Sequence, residues 1–369
     1  MRTRLPLFVG VFVIMALSNA IVPVLPSLAL GTTLQGAIYA AYFLGAFLFV
    51  LPAGYLADRI GELPLIRVGL LLTCISGIML SLSSSSAFIL AVRVVEGVGA
   101  GLFVPASLSL LNSAEGHERQ SGYFMALMNL GLLVGLLGTG WLVPRWIGPY
   151  SGIVLFSAAS FIPLALSAGM APFTSGRPGV PHETGKATLS LLKSAFSSSF
   201  WLWVSAVVII GITGALTALH PEYTNLPPDI VSQEIAMMNI ATIAAVLVTS
   251  HAKLPPVPTI RAAAVAMAAG VVVTFFSVWG FLIIGWMAGM VMIAQLAYLA
   301  GISARQGVLM GLFNTASYGG MTLLPFFAGL IAEVAGFPAA FAALAASSLL
   351  VAATIGRCTC RVFVPAISQ

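Results

Sequence analysis

Apolar residues fill this chain in stretches of about twenty, each ended by polar residues, glycine or proline. A helix of that length crosses the hydrocarbon core of a bilayer, so we predict twelve transmembrane helices. The first six lie near 5–29, 34–56, 64–83, 87–111, 121–143 and 150–170. The second six lie near 198–220, 233–250, 257–276, 279–302, 306–331 and 337–356. The pattern predicts an all-α membrane protein built from two pseudo-symmetric six-helix bundles.

Composition agrees with a lipid environment. Hydrophobic residues make up 60% of the chain, charged residues only 7%, and the mean hydropathy is +1.07. A soluble domain carries roughly a quarter charged residues, so this composition excludes a water-soluble globule. Arg2 and Arg4 before an apolar run resemble a secretory signal. Because eleven similar runs follow, we interpret the first run as a retained helix.

A polar segment divides the chain. It lies between the sixth and seventh apolar runs and is rich in glycine, proline, serine and threonine. It also contains Arg177, His182, Glu183 and Lys186. We therefore predict an amino-terminal bundle over 1–171, a cytoplasmic linker over 172–196 and a carboxyl-terminal bundle over 197–369.

The basic residues predict the orientation in the membrane. Of the fifteen Lys and Arg, only Arg93 and Arg145 fall on the side opposite the termini. Cytoplasmic loops collect the positive excess, so both termini and the linker are predicted to be cytoplasmic, in a plasma or inner membrane. The thirteen others are Arg2, Arg4, Arg59, Arg67, Arg119, Arg177, Lys186, Lys193, Lys253, Arg261, Arg305, Arg357 and Arg361. They form no basic stripe, so we expect no nucleic-acid partner.

An internal repeat relates the fifth and eleventh runs. Arg119-Gln120 opens one and Arg305-Gln306 opens the other. With one inserted residue, five later positions also match at a spacing of 185: Gly122, Met125, Leu127, Asn129 and Gly135 pair with Gly307, Met310, Leu312, Asn314 and Gly320. Two six-helix halves of the same orientation are a known transporter plan.

Residues 54–61 read Gly-Tyr-Leu-Ala-Asp-Arg-Ile-Gly at the end of the second run. This segment resembles the loop signature of the major facilitator superfamily, although Glu62 and Leu63 stand where that signature has basic residues. The resemblance implies the family's fold, a transport function and a cytoplasmic gate in which the Asp contacts the start of the eleventh helix. The gate residues it implies are Gly54, Asp58, Arg59, Gly61 and Arg305. An Asp that merely ends a helix in water is the alternative.

The fourth run carries Arg93 and Glu96 within residues 93–101, Arg-Val-Val-Glu-Gly-Val-Gly-Ala-Gly. This sequence is similar to the family's Arg-x-x-Gln-Gly-x-Gly pattern, with Glu in the Gln position. A spacing of three places both side chains on one helix face, and ionisable groups at membrane depth indicate function. The resemblance implies that Arg93 serves proton transfer and that the Glu96 carboxylate binds and releases the proton. An interfacial salt bridge that anchors the helix is the alternative.

Two further segments resemble signatures of the twelve-helix drug:proton antiporters within this family. Residues 23–26, Pro-Val-Leu-Pro, resemble the family's Pro-Val-x-Pro, and a simple kink is the alternative reading. Residues 131–140 follow the fifth-helix glycine pattern, but Leu136 replaces its proline and Thr139 one glycine. These departures weaken the indication of antiport.

The family plan implies a central cavity lined by the first, fourth, seventh and tenth helices. Buried polar side chains there either contact substrate or bond neighbouring helices. The candidates for substrate contact in those four spans are Asn19, Thr213, Thr217 and Gln295, and those in neighbouring spans are Tyr42, Asn129, Asn239, Asn314 and Tyr318. Abundant aromatic and methionine residues suit an apolar or amphipathic small molecule, and lipid-facing packing explains them equally well.

The sequence thus predicts a monomeric secondary transporter that exports amphipathic or drug-like molecules by alternating access, driven by the proton gradient. An importer or uniporter of a polar metabolite is the alternative, and a polytopic enzyme or assembly factor is a remote one. No enzyme activity, cofactor or metal site is expected, because the four histidines are scattered and three cysteines are too few for a disulfide or zinc framework.

Overall fold

The computed structural model describes residues 4–82, 85–112, 117–145, 148–170, 199–252, 254–300 and 306–357. Within those ranges the side chains of 55, 58, 112, 117–119, 306–308 and 310 are not described. The predicted linker at 172–196 and Arg305 lie outside the described residues. Every regular element in the ranges is helical.

The first six spans follow the apolar runs closely. Span 1 is broken, because Pro23 and Pro26 lack a backbone N–H and a short 3₁₀ turn forms between its two α-helical parts. Span 2 starts after Gly31 and ends at Gly61, both with φ of +84°, which only glycine adopts freely. The helices are Leu5–Ala20, Val22–Val24 and Leu25–Leu28 in span 1, then Thr32–Ile60, Glu62–Leu82, Ser86–Asn112, His117–Leu142 and Ser151–Ala168 as spans 2 to 6.

The last six spans have the same character. A proline lies inside span 7 at Pro221 and inside span 11 at Pro325. Gly336, with φ of +83°, separates spans 11 and 12. The helices are Phe200–Thr224, Pro228–Ser250, Pro256–Phe276, Gly280–Ala300, Gln306–Ala335 and Phe337–Thr354 as spans 7 to 12, with Ile355–Arg357 as a final 3₁₀ turn.

Twelve helices in the described ranges are long and apolar enough to cross a membrane. The predicted twelve-helix, all-α membrane class is therefore confirmed. Large apolar side chains are also exposed along these helices, for example Leu247 at 61% and Phe161 at 48%. A hydrocarbon solvent satisfies such faces, and it requires every backbone polar group to be bonded within the helix.

The chain forms two compact units. Unit 1 comprises Met1–Gly176, Ala215–Ala236 and Pro325–Val334, and unit 2 comprises Arg177–Gly214, Met237–Leu324 and Ala335–Gln369. In unit 1, span 4 packs between spans 2 and 3, and span 1 packs on spans 5 and 6. In unit 2, span 9 packs on spans 10 and 12. The division at 172–196 into two bundles stays a prediction.

Candidate functional site

A buried ion pair lies on span 4 in unit 1. Arg93 Nη1 is 2.7 Å from Glu96 Oε2, and the two side chains are 1% and 0% exposed. The residues are three apart on one helix, so their side chains emerge on the same face. Both groups therefore contact protein, and the choice between proton transfer and a salt bridge that anchors the helix stays a prediction.

Spans 1 and 2 hold the Arg93 guanidinium. Its Nη2 donates to the Ser18 carbonyl oxygen at 3.3 Å, and its Nε donates to the Ile38 carbonyl oxygen at 3.4 Å. The guanidinium carbon also lies 4.8 Å from the centre of the Tyr42 ring, a cation–π distance. Arg93 is thus fixed on three sides and orients the carboxylate that it binds.

The Glu96 carboxylate is only half satisfied. Oε2 accepts from Arg93, whereas Oε1 is buried and has no hydrogen-bond partner among the described residues. A buried carboxylate oxygen without a donor is costly when the group is ionised. The same oxygen can hold a proton while Oε2 keeps its contact with Arg93. The site can therefore exist in two protonation states that differ in net charge.

Other predicted cavity residues in unit 1 have helix-to-helix or local roles. Asn19 Nδ2 donates to the Leu132 carbonyl oxygen at 3.0 Å, joining spans 1 and 5. Thr217 shares a hydrogen bond with the Tyr39 phenol, which joins spans 7 and 2. Asn129 is exposed and donates to the Met125 carbonyl oxygen of its own helix at 2.9 Å. Tyr42, described above, contacts Arg93.

Unit 2 contains the remaining predicted cavity residues. Gln295 is fully buried and its Nε2 donates to Ser205 Oγ at 2.8 Å, while no residue in the described part of the chain bonds its Oε1. Thr213 donates to the Ile210 carbonyl oxygen at 2.7 Å within its own helix. Asn239 and Tyr318 are half-buried, and Asn314 is exposed. Whether any of these residues contacts a substrate stays a prediction.

The predicted cytoplasmic gate is only partly visible. Gly61 ends span 2 with φ of +84°, and its N–H donates to the Ala57 carbonyl oxygen at 3.0 Å. A Cβ added at Gly54 would meet no atom within 4 Å. Arg59 lies exposed in the last turn of span 2, where a cation complements the helix dipole. The Asp58 side chain and Arg305 lie outside the described part of the chain, so the gate contact stays a prediction.

Sequence reasoning missed a second polar cluster in unit 1. His220 Nε2 is 2.5 Å from Glu234 Oε2, and Gln35 Nε2 donates to Glu222 Oε2 at 2.8 Å. The Thr33 N–H donates to Glu333 Oε2 at 2.9 Å. These carboxylates lie near the ends of apolar runs, a position that usually indicates solvent. A carboxylate at a span end whose partner lies on another span carries no local signal.

Comparisons with known proteins give a consistent result. The family model described as the Major Facilitator Superfamily matches residues 7–280. The chain is 27% identical over 233 residues to the uncharacterized MFS-type transporter Rv1250 of Mycobacterium tuberculosis, covering 56% of this chain and 38% of that protein. It is 28% identical over 136 residues to the quinolone resistance protein NorA of Staphylococcus aureus, covering 35% of each. The chain thus spans well under half the length of these curated relatives.

Solved structures of similar fold cover almost the whole chain. A bacterial homologue of the human lysosomal transporter Spinster gives a TM-score of 0.75 at 14% identity, covering 98% of this chain and 96% of that one. The D-xylose-proton symporter gives 0.71 at 14% identity, covering 96% of each chain. At such identity the likeness shows the fold alone.

Proposed function

This chain belongs to the major facilitator superfamily, and from that premise we propose that it is a secondary active transporter that exports small amphipathic molecules in exchange for protons. The observation that carries the proposal is the Arg93–Glu96 pair, buried within span 4 with one carboxylate oxygen that no described residue bonds. Structural ion pairs also occur in cores, but they usually satisfy all their oxygens. A half-satisfied carboxylate is suited to taking up and releasing a proton.

The proposed chemistry uses only residues of this site. In the ionised state, Glu96 neutralises Arg93 and the pair carries no net charge. When a proton binds Glu96 Oε1, the carboxyl becomes neutral and the Arg93 charge is left without a counter-charge in a low-dielectric site. That state favours a rearrangement of spans 1 and 2 around Arg93, because both helices contribute carbonyl oxygens to it. Proton binding and helix arrangement are thereby coupled.

The substrate class rests on a relative and on composition. The matched protein of Staphylococcus aureus is described as a quinolone resistance protein, and a quinolone is a small amphipathic molecule. The predicted cavity is surrounded by apolar side chains and offers few amides, which suits such a compound better than a sugar.

An importer of a polar metabolite is the second candidate. Leu136 stands where the antiporter signature has proline, and a symporter of D-xylose is among the structures of similar fold. Both observations concern direction and substrate, and neither affects the role proposed for Glu96. The two candidates therefore differ in the substrate and in the sign of the coupling.

The proposal also includes an orientation in the membrane, which we infer from the charge distribution, and a working unit. We place both termini and the 172–196 linker in the cytoplasm, because thirteen of the fifteen basic residues lie on that side. The working unit is proposed to be a monomer in the bilayer that binds a small-molecule substrate, with the proton gradient as its energy source. Labelling of cysteines introduced at each end of the chain in right-side-out and inverted vesicles tests the orientation.

Flux measurements in proteoliposomes test the proposal. A quinolone and D-xylose are each loaded with and without an imposed pH gradient, in wild type and in Glu96→Gln. Wild type is expected to move the quinolone in the direction opposite to the flow of protons down the imposed pH gradient. Glu96→Gln should lose at least ~90% of gradient-driven flux, because an amide cannot exchange a proton at Oε1. Normal gradient-driven flux in Glu96→Gln would disprove the role of this residue.

A matched variant controls for charge. Asp229→Asn removes a carboxylate in the first turn of span 8 that makes no hydrogen bond or ion pair with a described residue, and it should keep wild-type flux. Uptake of D-xylose that follows the proton gradient, with no quinolone movement, supports the second candidate.

A further inference from the structure

The start of span 2 is bound by the end of span 11 within unit 1. The Thr33 N–H donates to Glu333 Oε2 at 2.9 Å, and Thr32 Oγ1 donates to the Gly329 carbonyl oxygen at 2.8 Å. The first amides of a helix lack partners within the helix and carry its positive dipole end. A carboxylate supplied by another span therefore caps span 2, across 300 residues of sequence.

The backbones of these two spans touch beneath the polar contacts. A Cβ added at Gly36 would overlap the Pro325 carbonyl oxygen, and a Cβ added at Gly329 would overlap the Thr32 carbonyl oxygen. No side chain separates the helices at these points. The contact between spans 2 and 11 is thus a closed seam that ends at the Glu333 carboxylate.

The repeat places a second seam on the same membrane face. Ser232 is the fifth residue of span 8, as Gly36 is of span 2. Gly140 precedes Pro325 by 185 residues, the spacing that also relates Gly135 to Gly320. A Cβ added at Gly140 would lie 2.7 Å from the Pro228 carbonyl oxygen and would overlap Ser232. Spans 5 and 8 therefore meet as spans 11 and 2 do.

Interhelical carboxylate bonds distinguish the two seams. On the side of span 2, Gln35 is 1% exposed and donates to Glu222 Oε2 of span 7 at 2.8 Å, in addition to the Glu333 contact. On the side of span 8, Glu234 contacts His220 of span 7, but no described carboxylate joins span 8 to span 5, and Asp229 bonds no described residue. The packing is repeated in both seams, whereas a described carboxylate contact between the two helices of a seam occurs only between spans 2 and 11.

We propose that Glu333 and Glu222 are the clasps of the outer gate, holding the start of span 2 against spans 11 and 7 when the external side is closed. The assignment to the external side rests on the proposed function and on the predicted orientation, in which span 2 begins and spans 7 and 11 end opposite the termini. Opening must exchange both contacts for water. The Glu333 contact lies at the surface, whereas the Glu222 contact joins the buried Gln35 amide to a half-buried carboxylate. Each is one local contact between spans, so each shifts the open–closed equilibrium modestly and can be broken in every cycle.

Distance measurements by electron paramagnetic resonance test the clasps without any transport assay. Spin labels are attached at Leu30→Cys and Val334→Cys, positions that are 92% and 79% exposed and flank the seam of spans 2 and 11. The background carries Cys74→Ala, Cys358→Ser and Cys360→Ser, and the protein is held in lipid nanodiscs. Opening of the seam appears as a longer label-to-label distance.

Loss of the Glu333 carboxylate should raise the population with the longer distance. Glu333→Ala is expected to increase it about threefold to fivefold, and Glu222→Ala, which removes the acceptor of the Gln35 bond, by a similar factor. Asp229→Asn is the matched control, because it removes a carboxylate at the start of span 8 that joins no two spans. Equal distance distributions in wild type, Glu333→Ala and Glu222→Ala would overturn the proposal, as would an equal shift in Asp229→Asn.

A double-mutant cycle tests whether Glu333 acts through the helix start. Thr33→Pro removes the N–H that donates to Glu333, in a first turn where proline is tolerated. Glu333→Ala should have no further effect in that background, whereas independent effects of the two substitutions would contradict the capping contact. A shifted distance without flux of any compound supports the clasps and refutes transport. Proton-driven flux with unshifted distances does the reverse.

Discussion

Spans 4 and 10 show the same packing with different chemistry. A Cβ at Gly97 would overlap the carbonyl oxygen of Tyr42, and one at Gly285 would overlap that of Met238. Those carbonyls belong to the eleventh residues of spans 2 and 8. One turn further on, a Cβ added at Gly101 or Gly289 would lie 3.0 or 2.6 Å from the carbonyl oxygen of Ala46 or Thr242. Each pair of spans therefore approaches through small residues in equivalent positions.

The residues beside these glycines differ. Arg93 and Glu96 precede Gly97 by four and one positions, and Phe281 and Ile284 precede Gly285 by the same numbers. All four side chains are at most 1% exposed. One repeat thus buries an ion pair where the other buries two apolar side chains. The apolar version shows that the packing does not need the charges, which points to a functional reason for keeping them.

The largest expected effect comes from copying span 10 into span 4 one residue at a time. Arg93→Phe leaves Glu96 buried without its partner and should destabilise the protein by about 3–5 kcal/mol. Arg93→Phe with Glu96→Ile should regain most of that loss, because well-packed apolar groups replace a buried pair at little cost. Melting in detergent, followed by tryptophan fluorescence, measures both variants. A double variant as unstable as the single one would mean that the pair itself holds spans 1, 2 and 4 together.

A smaller and symmetric effect is expected at the glycines. Gly97→Ala and Gly285→Ala should each cost about 1–3 kcal/mol, because the added methyl group must push two backbones apart. Gly122→Ala is the control, since a Cβ there meets no atom within 4 Å, and it should be neutral or slightly stabilising. Melting temperatures of the three variants decide the comparison. A loss at Gly97 without one at Gly285 would show that the two halves do not pack alike.

The smallest effect is expected at Gln295, the buried polar residue of span 10. Its bond to Ser205 leaves one buried oxygen unbonded, so Gln295→Leu should change stability by less than about 1 kcal/mol. Ser205→Ala alone should cost slightly more than Ser205→Ala combined with Gln295→Leu, because the single substitution leaves the Gln295 side-chain amide without an acceptor. Thermal melting again measures this pair of variants. A loss as large as that of Arg93→Phe would show that the polar group in span 10 matters as much as the charges in span 4.

The fold could be predicted because a lipid environment requires long apolar stretches, which are visible in the sequence. Each span needs about twenty apolar residues, and the structure places span 1 at Leu5–Leu28 against a predicted 5–29. The main errors lie at ends, such as span 11, which runs to Ala335 rather than 331. Glu333 was therefore placed in a loop, although it lies in the last turn of a helix. A run of mixed glycine and polar residues does not define a helix end.

The candidate site was predictable only where its partners share a helix. Arg93 and Glu96 are three residues apart, so helical geometry alone brings them together. Gln35 and Glu222, or Thr33 and Glu333, are separated by 187 and 300 residues, and no periodicity relates them. Asn129 was a cavity candidate as a polar residue in a span next to the predicted cavity-lining ones, yet its amide bonds its own helix.

The sequence by itself determined the membrane class, the number of helices and the repeat, because length and hydrophobicity along the chain are local properties that lipid selects directly. The tertiary structure decided which polar groups are satisfied. Glu96 keeps a free oxygen because spans 1 and 2 direct their carbonyls to Arg93 and offer the carboxylate no donor. Which polar groups find partners depends on how helices that are distant in sequence approach each other, and close packing of small residues fixes that approach.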